Sequence, residues 1–217
     1  MKIVKIDYIN LLPFHIFLKK YIRSSIQQSA INYKKSFPSN INKEFKAKRA
    51  HLAFISSIAS KKANKTSVGI VAKRDVQSVI AIPGEYMPDF ESATSNILAK
   101  ILGIDGKVYI GDKALKIALR NQNHIDLAQK WQEKYKLPFV FAVLCFNKDP
   151  KIAIKLATKF TSNKIKIPQI ILEKYSKTRK ISKKDIQNYL TKISYKIGKK
   201  EQLGYKKFIK LAKNIRS

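Results

Sequence analysis

Strand and helix signals alternate through the first half of this chain, and that alternation narrows the fold more than any single residue does. Residues 3–8 read as a short strand. The chain then passes through Asn10 into Leu11-Leu12-Pro13-Phe14, the start of an apolar helix over 11–25 with Leu11, Phe14, Leu18 and Ile22 on one stripe. A weaker strand over 31–37, a short helix over 41–49 and a buried strand over 52–55 follow. After them come a helix over 57–62 and strands over 67–72 and 78–82. Strands separated by helices imply an α/β chain whose sheets are mixed, mostly parallel, and covered on both faces.

Pro83-Gly84 opens a turn-rich stretch that ends at Asp89. Ser92 then precedes a compact helix carrying Ile97, Leu98, Ile101 and Leu102, closed by Gly103. Residues 107–110 form a strand ending in Gly111-Asp112, 114–119 are helical, and 126–135 form a helix with Asp126 near its start. Pro138 ends that helix. The unbroken apolar run over 139–146 is too short for a membrane and suits a strand buried on both faces. From Asp149 onward the pattern is helical only. Asp149-Pro150 supplies an N-cap and a first-turn proline, and Ser182 with Asp185 resembles a capping box. Ile186, Leu190, Ile193 and Ile197 form a stripe ended by Gly198, and Phe208, Leu211, Ala212 and Ile215 mark the last helix.

A hydrophobic content of 45% over 217 residues supports a real core in one large domain or two small ones. No apolar stretch reaches the roughly eighteen residues of a membrane span. Asp7 and Asn10 interrupt any apolar signal region. The single cysteine, Cys145, excludes an intrachain disulfide. These features together point to the cytoplasm. The charge is extreme: 45 Lys and Arg against 14 Asp and Glu, net +31. The lysines run from Lys2 to Lys213, and in the dense tail they alternate with apolar residues at helical spacing, as on a solvated helix face. That distribution argues against a nucleic-acid patch and leaves a modest long-range attraction for small anions.

Three junctions share one chemistry. Asn10, Ser56-Ser57, and the Ser92/Thr94/Ser95 group each place small hydroxyl or amide side chains where a strand or loop feeds a helix. Helix N-termini bind carboxylates without Arg or Lys, and open α/β proteins place ligands at the carboxyl ends of strands. For any single junction an N-cap is the better explanation. Three in one chain make binding competitive. Ser78 would add a hydroxyl at the start of a strand, and Asp112 touches a ligand or caps the next helix. Other chemistries lack support. The chain has no G-x-S-x-G and no glycine-rich phosphate loop. His15, His51 and His124 show no metal-ligand spacing. Cys145 lies inside an apolar run, as a buried small hydrophobe does.

Several segments also resemble one known family. Tyr8-Ile-Asn-Leu-Leu-Pro-Phe14 is similar to the opening motif of the chorismate dehydratases of the futalosine route to menaquinone. Val76-Gln-Ser-Val79 resembles their Val-Arg-Ser-Val, Ser92-Ala-Thr-Ser95 their Ser-Arg-Thr-Ser, and Ile110-Gly-Asp-Lys-Ala-Leu115 their Ile-Gly-Asp-x-Ala-Leu. Trp131 with Leu137-Pro-Phe-Val-Phe-Ala142, and Ile193-Ser-Tyr195 with Glu201, Gly204 and Phe208, extend the match in family order over nearly the whole chain. Two departures stand out: the segment between Ile82 and Lys107 looks shortened, and Ala93 stands where the family often has Arg.

The resemblance implies a two-lobed, periplasmic-binding-protein-like (type II) fold with C-terminal helices and a ligand in the cleft between lobes. Residues 1–77 with 147–217 would form one lobe and 78–146 the other, hinged near 78–82 and 139–146. It implies a hydro-lyase without metal or cofactor, monomeric or homodimeric, that converts chorismate to 3-(1-carboxyvinyloxy)benzoate and water. Asn10 would orient the ring or the leaving hydroxyl. Ser78, Thr94 and Ser95 would hold carboxylates, with Ser56 and Asp112 as further substrate contacts. Two rivals share the fold: a plain binding protein for an anionic metabolite, and the dihydroxynaphthoate synthase of the same pathway, whose Ser-Pro-Cys-Pro-Asn-Asp-like opening is absent here.

Overall fold

The computed structural model describes residues 2–24, 33–120 and 123–215. The chain begins with β1 (Ile3–Lys5), a 3-10 turn (Ile9–Leu11), α1 (Leu12–Ser24), β2 (Tyr33–Lys35), α2 (Pro38–Lys46), β3 (Leu52–Ser56) and β4 (Asn64–Ala72). A second group follows: β5 (Val79–Ile82), α3 (Ala93–Leu102), β6 (Lys107–Ile110), α4 (Gly111–Leu119), β7 (Ile125–Asp126) and α5 (Leu127–Tyr135). The chain closes with β8 (Phe139–Phe146), α6 (Pro150–Ser162), α7 (Gln169–Arg179), α8 (Lys183–Thr191), β9 (Ile193–Lys196) and α9 (Lys199–Asn214). Ser25 and Ile31, at the edges of two sequence-read elements, lie outside the described residues.

Two sheets result. The larger has strand order β2-β1-β3-β8-β4-β9 and the smaller β6-β5-β7. Both lobes are α/β, and the larger sheet is mixed. The expected parallel majority is absent: β1 runs parallel to β2 and β3, while the other pairings between these strands are antiparallel. The cause is the connection between lobes. Strand β4 carries the chain toward the smaller lobe and β8 carries it back, so the two run in opposite directions. They pair side by side, with Ala72 opposite Phe139. The sequence groups 139–146 with the second lobe, yet β8 is flanked by β3 and β4 of the larger sheet.

Two further local readings differ from the structure. The stripe Ile186, Leu190, Ile193, Ile197 suggests one continuous helix, but α8 stops at Thr191 and Ile193 opens β9. The free edge of β4 recruits that segment, pairing Val71 with Ser194 and Ala72 with Ile193. Residues 57–62 form turns and not a helix. There the Ser57 hydroxyl donates to the Val140 carbonyl and the Ser60 hydroxyl to the Ser57 carbonyl. Side-chain bonds of this kind compete with helical ones.

Capping follows the sequence in part: Asp149 precedes α6 in the left-handed region without a side-chain cap bond. Ser92 caps α3 by accepting from Ser95 N at 3.2 Å, and Gly103 ends it in the left-handed region. Aromatic rings fill the core on both sides of the larger sheet. Phe14 meets Phe54 and Phe160 edge-on at 5.0 and 5.1 Å. Trp131 and Phe208 pack on Phe139 at 5.2 and 4.9 Å. Such pairs contribute about 0.5–1.5 kcal/mol each beyond area burial. Among the described residues no helix is long and apolar enough to cross a membrane.

Candidate active site between the lobes

A group of buried polar residues gathers where the two sheets face one another. The larger lobe sends Asn10, in the turn after β1, and Ser56, at the end of β3. Ser78 stands at the entry to β5, while Ser92 and Ser95 open α3 and Gly111 opens α4 in the smaller lobe. All six line one cleft, walled by apolar side chains such as Ile70 and Phe141. The cavity volume is only about 60 Å³, so the walls stand close together. Among the described residues that line it there is no Asp, Glu, His, Lys or Arg. The N-termini of α3 and α4 open onto this space, with partial positive charge and N–H groups.

The hydroxyls are oriented by partners behind them. Tyr189 donates to Ser78 Oγ at 2.8 Å. Asn42 donates its amide to Ser56 Oγ at 2.8 Å and accepts from Ser56 N at 3.2 Å. Ser92 Oγ and Ser95 Oγ lie 2.9 Å apart. A serine hydroxyl has one proton and two lone pairs. One donor occupies one lone pair on Ser78 and one on Ser56, which leaves each hydroxyl proton free to turn toward the cleft. Tyr195 donates to the Asn10 backbone carbonyl at 2.5 Å. Asn10 Oδ1 is buried and has no hydrogen-bond partner. An unpartnered buried acceptor costs about 1–3 kcal/mol, which a bound donor would relieve.

Two of the sequence-derived candidates stand elsewhere. Thr94 is buried, but its hydroxyl accepts from Ile58 N at 3.3 Å and it does not line the cleft. Asp112 lies outward, accepting from Ile9 N at 2.9 Å and from Arg179 Nε at 2.7 Å. Arg179 also donates to the Asp7 carbonyl at 2.8 Å and to Asp7 Oδ2 at 3.1 Å. Asp112 thus ties the smaller lobe to α7 and to the turn after β1. Burial pushes its carboxyl above the ordinary range, against the opposing pull of Ile9 N–H and Arg179. Nearby, Tyr8 donates to Glu91 across the cleft. Burial and that carboxylate hold the phenol neutral by raising its pKa.

Asp126 secures the crossing between lobes. One oxygen accepts from Val76 N and Gln77 N at 2.8 and 2.6 Å, and the other caps α5 through Ala128 N and Gln129 N. Cys145 is buried in β8, and its thiol is pushed up to about 12 by burial, so it is no nucleophile. Among the described residues no three His, Cys, Asp or Glu side chains converge to hold a metal. Tyr189, Tyr195 and Asn42 support the site without any local signal that marks them. Only the match of Ile193-Ser-Tyr195 to a family motif pointed to that region.

The profile of a family described as menaquinone biosynthesis matches residues 78–214. The chain is 46% identical over 216 residues to a chorismate dehydratase of Campylobacter jejuni, covering 97% of either chain. Among solved structures it resembles a protein of Archaeoglobus fulgidus, with a TM-score of 0.71 at 12% identity over 99% of this chain and 97% of that one. It also resembles the periplasmic aliphatic sulphonate binding protein of Escherichia coli, with a TM-score of 0.63 at 12% identity over 100% of this chain and 87% of that one. A Candida albicans protein described as having the generic periplasmic binding protein fold gives 0.54 at 13% identity, covering 100% and 91%. At these identities the structural likeness speaks to fold alone.

Proposed function

The chain belongs to the chorismate dehydratase family of menaquinone biosynthesis, and we propose that it removes water from chorismate to give 3-(1-carboxyvinyloxy)benzoate. The observation that carries this reading is the unpartnered Asn10 Oδ1 beside a ring of outward-donating hydroxyls in a narrow cleft. Chorismate carries two carboxylates, one ring hydroxyl and an enol ether. Its carboxylates fit the hydroxyl protons of Ser78, Ser56 and the Ser92/Ser95 pair and the N-termini of α3 and α4. Its ring hydroxyl is the donor that Asn10 Oδ1 lacks.

Dehydration breaks the bond to the ring hydroxyl and removes the proton from the ether-bearing ring carbon. The electron pair left behind completes the aromatic ring. Aromatisation makes the step downhill, so positioning and charge placement suffice. Among the described residues that line the cleft there is no Asp, Glu, His or Lys to act as base, so the substrate's own enolpyruvyl carboxylate takes the proton. Exclusion of water by the closed lobes strengthens each contact. Thr94 supports the α3 end indirectly through Ile58, and Asp112 acts in closure. The single buried cysteine is compatible with a reducing compartment such as the cytoplasm.

Incubation of the purified protein with chorismate tests this. One aromatic product, lighter than chorismate by one water, is expected by mass spectrometry. Tight binding of chorismate without product would instead support a binding protein.

A further inference from the structure

We infer that Asp126 is a positioning residue, whose carboxylate holds Gln77 in the left-handed backbone region and so aims Ser78 into the cleft. Gln77 has φ +60°, a conformation that is unfavourable for a residue with a side chain and calls for a local cause. The cause stands 49 positions along the chain. Asp126 Oδ2 accepts from both Val76 N and Gln77 N, at 2.8 and 2.6 Å. Successive backbone N–H groups that converge on one oxygen form a concave seat for an anion, built with a left-handed residue. Asp126 is 8% exposed, so its carboxylate has little water to turn to instead.

Ser78 comes next in the chain and is set from three sides. Its direction follows from Gln77, its carbonyl accepts from Gly111 N at 2.8 Å, and its hydroxyl accepts from Tyr189 at 2.8 Å. A right-handed Gln77 would send the following peptide another way, and Ser78 away from the wall it shares with Asn10, Ser92 and Ser95. The two oxygens of Asp126 do separate work. Oδ1 caps α5 through Ala128 N and Gln129 N at 2.9 and 3.0 Å, while Oδ2 serves residues 76 and 77. Asp126→Asn therefore keeps an oxygen for the cap, a place Asn fills well, and turns an NH2 group toward two N–H donors. It removes the seat and spares the helix.

This role rests on the proposed dehydration, and the two can fail separately. Turnover of chorismate by the unmodified protein is measured first. Its absence overturns the proposed reaction and leaves the crystal structure of Asp126→Asn to decide: Gln77 is expected to leave the left-handed region, and an unchanged φ overturns the inference. With turnover present, Asp126→Asn is expected to lower kcat/KM about tenfold or more, the preference of an ordinary residue for the right-handed region. Adding Gln77→Gly, which takes positive φ freely, is expected to bring kcat/KM back to within about threefold of the unmodified protein. A damaged α5 cap would not be repaired by a change at position 77, so a double variant no faster than Asp126→Asn overturns the inference. In a Ser78→Ala background Asp126→Asn should cost no more than about threefold, and an equal factor in both backgrounds also overturns it. If Asp126→Asn does not fold, position 77 of the unmodified protein decides. Gln77→Gly, Gln77→Asn and Gln77→Val should lose kcat/KM in that rising order, as the left-handed region becomes harder to adopt. A loss that ignores the order overturns the inference.

Discussion

The inner end of the cleft and its rim are built from opposite chemistries. Inside, Asn10, Ser56, Ser78 and Ser95 present only neutral groups in about 60 Å³ of free space. At the rim, a hollow of about 460 Å³ is lined by residues that include Asp7, Phe37, Asp112 and Arg179. There the lobes are joined by charge pairs, by Tyr8 donating to Glu91, and by Phe37 meeting Phe90 at 6.3 Å between ring centres. A fixed charge inside would carry a large desolvation cost and would bind product carboxylates as firmly as those of the substrate. Held at the rim, charges neutralise one another and close the lobes. On this division, interior changes should strike the chemical step and rim changes should strike capture.

The sharpest challenge to that division is Asn10→Asp. A carboxylate buried beside the substrate's own should cost about 4 kcal/mol, a drop in kcat/KM of about a thousandfold. Unchanged turnover of chorismate would remove Asn10 from the mechanism. At the rim, Asp112→Asn weakens a charge-assisted pair and should raise KM about tenfold while kcat moves less than about threefold. A fall in kcat alone would place Asp112 with the interior.

The same carboxylate gives a pH signature. Its pKa is raised in the folded protein, so on acidification the native state takes up this proton before the unfolded chain does. Through this group, stability is therefore gained and not lost as pH falls toward the ordinary carboxylate range. The pair with Arg179 weakens over that window. KM should rise on the acid side, above the usual carboxylate range, without a matching fall in Tm. An acid limb that survives Asp112→Asn breaks the assignment.

Gly111→Ala tests the contact where the two regions meet. Gly111 has φ +64°, and an added Cβ would lie 2.8 Å from the Tyr8 ring. Strain and wedging together should cost about 1 kcal/mol of stability and raise KM severalfold, measured by thermal melting and steady-state rates. Phe90→Ala should do least. The ring is 82% exposed, so stability should stay within about 0.5 kcal/mol and KM within about twofold.

Local signals carried much of the fold into view. Ser92 and Gly103 bracket α3 because an N-cap and a left-handed glycine act within a few residues. Strand 139–146 was readable because a strand flanked on both sides shows as an unbroken apolar run. Pairing direction was not readable: nothing in residues 64–72 or 139–146 tells that one strand leaves a lobe and the other returns. Ile193-Ser-Tyr-Lys196 fits a helical stripe equally well, and a distant strand edge decides it. At the site, Asn10, Ser56, Ser78 and Ser95 were legible as small polar residues at junctions. Thr94 shares that signature and faces Ile58, because a helix turns neighbouring side chains about 100° apart. Tyr189 and Arg179 looked like ordinary positions of amphipathic helices, and only tertiary contact gives them work.

The pairing of Ala72 with Phe139 means that residues 73–138 leave and re-enter the larger sheet through adjacent doors. A short turn could in principle join those doors and leave the six-stranded order untouched. The smaller lobe is therefore an exchangeable module in topological terms. Its size and surface can drift, or be swapped between relatives, while Asn10 and Tyr195 stay on the unaltered side.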